Sequence, residues 1–183
     1  MSSVLIDELS GGGFRTERLA VRRVREGDWR DIQSIWLDFD ASEYRYYDMP
    51  RETSDDAVMH RIAYWASLSD SFEHMFFAVC LQQRVIGYFS FNIGEDCYET
   101  GYCFHRYYSG KGYASESFRA LTARLGAAGM SRIIAGTALR NLPSVRFLEK
   151  NGFALYDTQR LAFHTDENNE PVFFEGGWFE KYL

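Results

Sequence analysis

The sequence predicts a single α+β domain in which helices cover a mixed sheet. Two observations predict it. Apolar runs that suit strands, at 75–81, 84–92 and 97–105, alternate with stretches of helical periodicity such as Ala114, Phe118, Leu121, Leu125 and Ala128, spaced 4, 3, 4, 3. At 183 residues and 46% hydrophobic, the chain can also bury one sizeable core, and no repeat, low-complexity stretch or linker divides it. The net charge of −6 argues against a nucleic-acid surface and suits a cationic substrate. No apolar run is long enough to cross a membrane and no cleavable signal is read, so a soluble, cytoplasmic protein is expected. Cys80, Cys97 and Cys103 are odd in number and lack metal spacing, which predicts buried reduced thiols and no metal.

Residues 1–13 end in Ser10-Gly11-Gly12-Gly13 and read as a flexible leader to a domain at 14–183. Alternation from Leu19 to Val24 predicts the first strand. Asp28 is placed to cap a helix with Trp29, Ile32, Trp36 and Phe39 on one face. A second helix is expected from Thr53 or Ser54, with Asp55 and Asp56 in its first turn and Val58, Ile62 and Trp65 inward. The runs at 75–81 and 84–92 form an antiparallel hairpin turning at Gln82-Gln83. A strand at Arg132 to Thr137 and two more at Phe153 to Phe163 and Pro171 to Lys181 complete the set.

The informative stretch is Phe104 to Ser115, where an aromatic strand runs into Ser109-Gly110-Lys111-Gly112 and a helix starts at once. That arrangement offers free backbone N–H groups and a positive dipole end to an anion, and glycine lets a phosphate approach closely. Lys111 is followed by Gly112, so the P-loop spacing fails; Ser115 stands where a dinucleotide fingerprint needs its third glycine. The sequence Ser109-Gly110-Lys111-Gly112-Tyr113-Ala114 instead resembles the pyrophosphate loop of the GNAT superfamily of acyl-CoA N-acyltransferases, Gln/Arg-x-x-Gly-x-Gly/Ala, with Ser109 departing at its first position. Asn141-Leu142-Pro143-Ser144 followed by Glu149-Lys150-Asn151-Gly152-Phe153 resembles the family's second signature, and Thr16-Glu17-Arg18-Leu19 the opening of its RimJ/RimL-like branch.

The resemblance covers about residues 14 to 181. It implies a mostly antiparallel sheet of six or seven strands flanked by about four helices, with a splay between the two central strands that receives the pantetheine arm of acetyl-CoA. It also implies transfer of an acetyl group to a primary amine, either a small molecule or a peptide amino terminus, by a monomer or homodimer. The backbone of Tyr102, Cys103 and Phe104 is then expected at the thioester, and Gly110 and Lys111 with the rest of the loop at the pyrophosphate. Asn141 and Ser144 are expected on the pantetheine arm and cofactor sulfur, and Phe147 and Lys150 at the adenine end.

An amine near pKa 10 attacks only as the neutral form, so the site needs a base. Glu99, a carboxylate in an apolar and aromatic run, is the first candidate; His105, which titrates in the right range, is the second. The family's tyrosine acid falls at Leu148, which leaves Ser144 as the candidate donor to the leaving thiolate. Asp38, Asp40, Glu43, Tyr44, Tyr46 and Tyr47 are candidate walls of the acceptor site, carboxylates to attract an ammonium group and aromatic faces to pack on it. A catalytically silent CoA-binding or regulatory module and a nucleotide-phosphate binder are the competing readings.

Overall fold

Two long apolar strands, β3 (His74–Leu81) and β4 (Arg84–Ile93), pair antiparallel across a tight turn at Gln82, whose φ is +56°. Both are buried on the two faces, as a central hairpin must be. In this computed structural model, which describes residues 8–183, they stand third and fourth in an eight-stranded sheet. The other strands are β1 (Phe14–Arg15), β2 (Ala20–Arg23), β5 (Tyr98–Phe104), β6 (Arg132–Ala138), β7 (Ala154–Thr165) and β8 (Pro171–Tyr182). The order is β1-β2-β3-β4-β5-β6-β8-β7, and among the described residues β5 against β6 is the one parallel pair. Seven strands fall where the sequence places them; the eighth, β1, is two residues long and has no periodicity to read.

Helices α1 (Trp29–Asp40) and α2 (Asp55–Ser67) cover one face, and α3 (Tyr113–Ala127) and α4 (Leu142–Lys150) the other. Under α1 and α2 the core is aromatic: Trp65 stacks on Phe76 at 4.4 Å, and the buried Trp36 Nε1 donates to Tyr88 Oη at 2.9 Å. Under α3 and α4, Phe118, Leu121, Leu125 and Leu148 pack on Phe89, Ile133 and Phe179. Gly152, at φ +85°, ends α4, with Phe153 N–H donating to Leu148 O as in a Schellman motif. No described helix is long and apolar enough to cross a membrane.

Two expectations need correction. Asp28 does not cap α1 with its side chain: it accepts from Arg25 N–H at 2.8 Å and holds Arg22 through two bonds of 2.7 and 2.8 Å. A neighbouring arginine outcompetes the helix amides because a bidentate, charge-assisted pair is the stronger bond. The leader expected over 1–13 lies outside the described residues for 1–7. Glu8–Gly12 form a helical turn with Leu9 wholly buried, its carbonyl accepting from the buried Arg23 Nε at 2.6 Å. Burial of this arginine lowers its pKa to about 10.

β5 is locked to β4 by a ring on a glycine. Phe104 faces Gly87 across the ladder, and a Cβ on Gly87 would fall inside its ring. Gly87→Ala is therefore expected to destabilise the protein by about 1–3 kcal/mol, several degrees in thermal midpoint. Phe104→Leu should recover part of the loss; an unshifted midpoint in Gly87→Ala would show that the ring is free to move.

Candidate active site

β5 and β6 pair at Tyr98↔Ile133 and Glu99↔Ile134 and then part. From Thr100 to Phe104, β5 is laddered to β4 alone, while β6 continues on β8 as far as Ala138↔Gly176. The wedge between them opens toward the ends of both strands, where β5 leads to the glycine loop and β6 to α4.

Two clefts meet in this wedge. One, of about 600 Å3, runs past Cys103, Phe104, Ser109, Ala114, Pro143 and Phe147. The other, of about 350 Å3, is bounded by Glu99, Thr100, Tyr47, Phe163, Phe174 and Trp178. They share Phe39, Asp48, Tyr102, Asn141 and Ser144. At the junction Tyr102 Oη and Ser144 Oγ lie 2.7 Å apart, a bond that spans the wedge from β5 to α4. Burial pushes the Tyr102 hydroxyl well above the usual tyrosine range, and Ser144 offsets part of that shift, so the phenol stays protonated. Ser144 is therefore not spent on its own helix. Asn141 caps that helix instead, with Oδ1 accepting from Ser144 N–H at 3.4 Å. Leu148 is wholly buried away from the wedge, so the helix position of the family's tyrosine has no access to it.

The glycine loop is shaped for an anion. Gly110 and Gly112 take φ of +75° and +80°, where an L side chain is strained. Among the described residues, the amides of Gly110, Lys111, Gly112, Tyr113, Ala114 and Ser115 have no acceptor. Lys111 is exposed, its Nζ 4.6 Å from the centre of the Tyr107 ring. The loop is braced from the other end of the chain: Arg18 donates to Lys111 O at 3.0 Å and to Glu116 Oε2 at 2.6 Å, stacks 4.6 Å over Tyr113, and is joined by Thr16 Oγ1 to Glu116 Oε1 at 2.5 Å. Desolvation pulls the Glu116 carboxyl up, and the bonds from Thr16 and Arg18 outweigh it, holding it below the usual range. Nothing local in the sequence marks Arg18 or Glu116 for this role; only the Thr16 to Leu19 resemblance points at the segment.

The remaining candidates divide. Glu99 is exposed on the smaller cleft, on the side of the strand facing α1 and α2. His105 lines neither cleft: its Nδ1 accepts from Tyr107 N–H at 3.3 Å and lies 3.6 Å from Asp38. Asp38 borders the larger cleft, but its carboxylate is taken by Arg106, through Nε at 2.7 Å and the backbone N–H at 2.8 Å. Tyr44 and Glu43 border the larger cleft and Tyr47 the smaller, while Tyr46 packs edge-on against His164. Asp40 and Lys150 line neither. Phe147 lies 4.6 Å from the Tyr102 ring, deep in the wedge rather than at a distal end. The sequence passed over Asp48, which borders both clefts, pairs with Arg51, and is pinned when His164 Nε2 meets its carbonyl at 2.8 Å. Cys80 is buried and Cys97 and Cys103 half-buried, all free, and burial pushes the Cys103 thiol up to about 12.

A splayed sheet beside a glycine loop, with a long cleft for an amide-bearing arm, defines an acyl transferase that draws on a CoA thioester. The acetyltransferase (GNAT) domain family matches residues 18–154, and the chain belongs to it, an acyl-CoA-dependent acetyltransferase that uses acetyl-CoA. The uncharacterised N-acetyltransferase YnaD of Bacillus subtilis (strain 168) is 30% identical over 142 residues, 75% of this chain and 79% of the relative. Among solved structures, the Salmonella typhimurium acetyltransferase that modifies the N-terminal serine of ribosomal protein L7/L12 superposes with a TM-score of 0.78 at 17% identity, covering 92% of this chain and 96% of that one. The putative acetyltransferase yncA of Salmonella typhimurium, solved with its cofactor acetyl-CoA, gives 0.71 at 16% identity over 91% and 95%.

If Arg18 holds the loop in register, Arg18→Ala should raise the KM for acetyl-CoA about tenfold and speed hydrogen exchange at Lys111 to Ala114. Unchanged exchange there would reduce the Arg18–Glu116 pair to a surface contact.

Proposed function

We propose that the chain acetylates the primary amine of a small molecule or a peptide amino terminus by direct attack within a ternary complex. The observation that carries this is the meeting of the two clefts at Tyr102 and Ser144: one approach suits a long amide-bearing arm, the other an amine arriving from the Glu99 side. The free amides of Gly110 to Ser115 suit the pyrophosphate, and the unladdered edge of Thr100 to Phe104 suits the arm, whose amides pair groups that would otherwise be unsatisfied. A peptide amino terminus draws support from the Salmonella relative whose described substrate is an N-terminal serine.

Acetyl-CoA, when bound, supplies an acetyl group activated as a thioester. The residues of this chain hold both reactants and manage two protons. Glu99 accepts the proton of the incoming ammonium group, directly or through one water, and frees the nitrogen lone pair. The carbon–nitrogen bond forms as the carbon–sulfur bond breaks, with backbone N–H groups at the end of β5 facing the carbonyl oxygen. Ser144 gives its proton to the departing sulfur and regains one from Tyr102 along the 2.7 Å bond. The second proton that leaves the nitrogen as the amide forms returns to Tyr102 through water, so that the phenol is restored and one net proton leaves from Glu99. Tyr102, reached across the wedge, thus stands in for the acid that Leu148 lacks.

Three results test this reading. Gly112→Asp puts a strained, negatively charged residue in the loop and should weaken acetyl-CoA binding at least a hundredfold by calorimetry in a folded protein; wild-type affinity would move the pyrophosphate elsewhere. Glu99→Gln should lower kcat about a hundredfold near neutral pH, with the loss shrinking as pH rises toward the amine's own pKa. A wild-type pH–rate profile would remove Glu99 and bring His105 forward. Ser144→Ala should cost less, about tenfold, and adding Tyr102→Phe to it should cost no more, because the two act in series; additive losses would break the relay.

A further inference from the structure

Past the acceptor cleft the path continues into a larger groove of about 610 Å3. The two share Tyr47 and Phe174, whose ring centres are 5.3 Å apart, so the groove begins where the cleft ends. It exists because β6 leaves the sheet early. After Ala138↔Gly176 and the bond from Leu139 N–H to Glu175 O, the start of β8 has no strand beside it on that edge. A small amine would fill the cleft and leave this groove empty.

The charges are ordered along the path. The cleft presents the carboxylate of Glu99, with that of Asp48 beside it paired to Arg51. The groove presents Arg140 and Arg160 against one carboxylate, Glu175. Neither arginine makes an ion pair among the described residues, in a chain whose net charge of −6 leaves no shortage of acidic partners. The Arg160 guanidinium lies 3.9 Å over the ring of Phe173, itself 52% exposed. Such stacking fixes the plane of the cation and leaves its N–H edge free for a planar or tetrahedral anion.

From this order of charge we infer that the acceptor is an amine with an anionic group, carboxylate or phosphate, several bonds behind the reacting nitrogen. The ammonium end enters toward Glu99, and the anionic end is held by Arg140 and Arg160. The inference rests on the acetyl-transfer reading above and names its substrate class.

The test uses the full chain, acetyl-CoA and peptides that share their first two residues and carry aspartate, asparagine, lysine or phosphoserine at the next two. kcat/KM for an anionic peptide is expected to exceed that for the asparagine peptide up to about tenfold, as two exposed charge pairs supply, and the advantage should fade toward about 0.5 M salt. Whether aspartate or phosphoserine gains more distinguishes the carboxylate from the phosphate. Arg140→Gln with Arg160→Gln should bring the ratio to near one, and Arg140→Glu with Arg160→Glu should turn the preference to lysine. Equal rates across the panel, or a preference that survives both double variants, would overturn the inference while leaving acetyl transfer intact. Absence of transfer to every peptide would count against a peptide acceptor within the acetyl-transfer reading; the groove is then judged by tryptophan fluorescence of the CoA-loaded protein titrated with the same peptides. Equal affinity for the aspartate and lysine peptides would overturn the groove as well.

Discussion

The site depends on a failure of pairing. A parallel pair inside a sheet normally runs its full length, because each unmatched amide or carbonyl shut away from water costs as much as a lost hydrogen bond. Here β5 and β6 match at two register positions and separate. The fold tolerates this because each strand is held on its other side, β5 by β4 along its whole length and β6 by β8. Phe104 seated on Gly87 fixes the first of these, and Trp178 against Gly136 helps the second. The wedge that results has polar edges, aromatic walls and a hydrogen bond across its floor, between Tyr102 and Ser144. An arm rich in amides fits such a space better than water does, since it satisfies the edges and covers the rings together.

The helices and strands were legible because their signals are local. Period and glycine placement fix α3 from Ala114 onward and end α4 at Gly152, and alternation marks the β3–β4 hairpin. The glycine loop was legible as an anion site for the same reason: strand, two glycines and helix start lie within a dozen residues. Side-chain partnerships were not. Asp28 has the position of a cap and the partner of a salt bridge, Arg22, a choice that periodicity does not encode. Asp38 reads as a free acid beside aromatic residues, but Arg106 reaches it from 68 residues away. Leu9 lies in a glycine-rich stretch that looks loose, and its burial depends on Arg23 finding its carbonyl. In each case the deciding atom belongs to another part of the chain.

The same distance in sequence governs the wedge itself. The tyrosine that reaches the junction comes from β5, whereas the helix position a family pattern would inspect holds a buried leucine. Reading the helix alone suggests an enzyme that lacks an acid. Reading across the gap finds two hydroxyls already bonded, one of them a phenol that burial holds in its protonated form at rest.

The brace between Arg18 and Glu116 joins residues 98 apart in the chain. The N-terminal segment is synthesised first, so its arginine waits through four strands and two helices before its carboxylate partner exists. The anion loop can therefore be braced only once residues 18 and 116 both exist, and a growing chain short of Glu116 lacks that brace. Contacts of such long range slow folding, because the loop between them must close before they contribute. One consequence concerns ligand-assisted folding: acetyl-CoA can stabilise only the finished domain. Its binding energy then adds to the last step of folding and to none of the earlier ones.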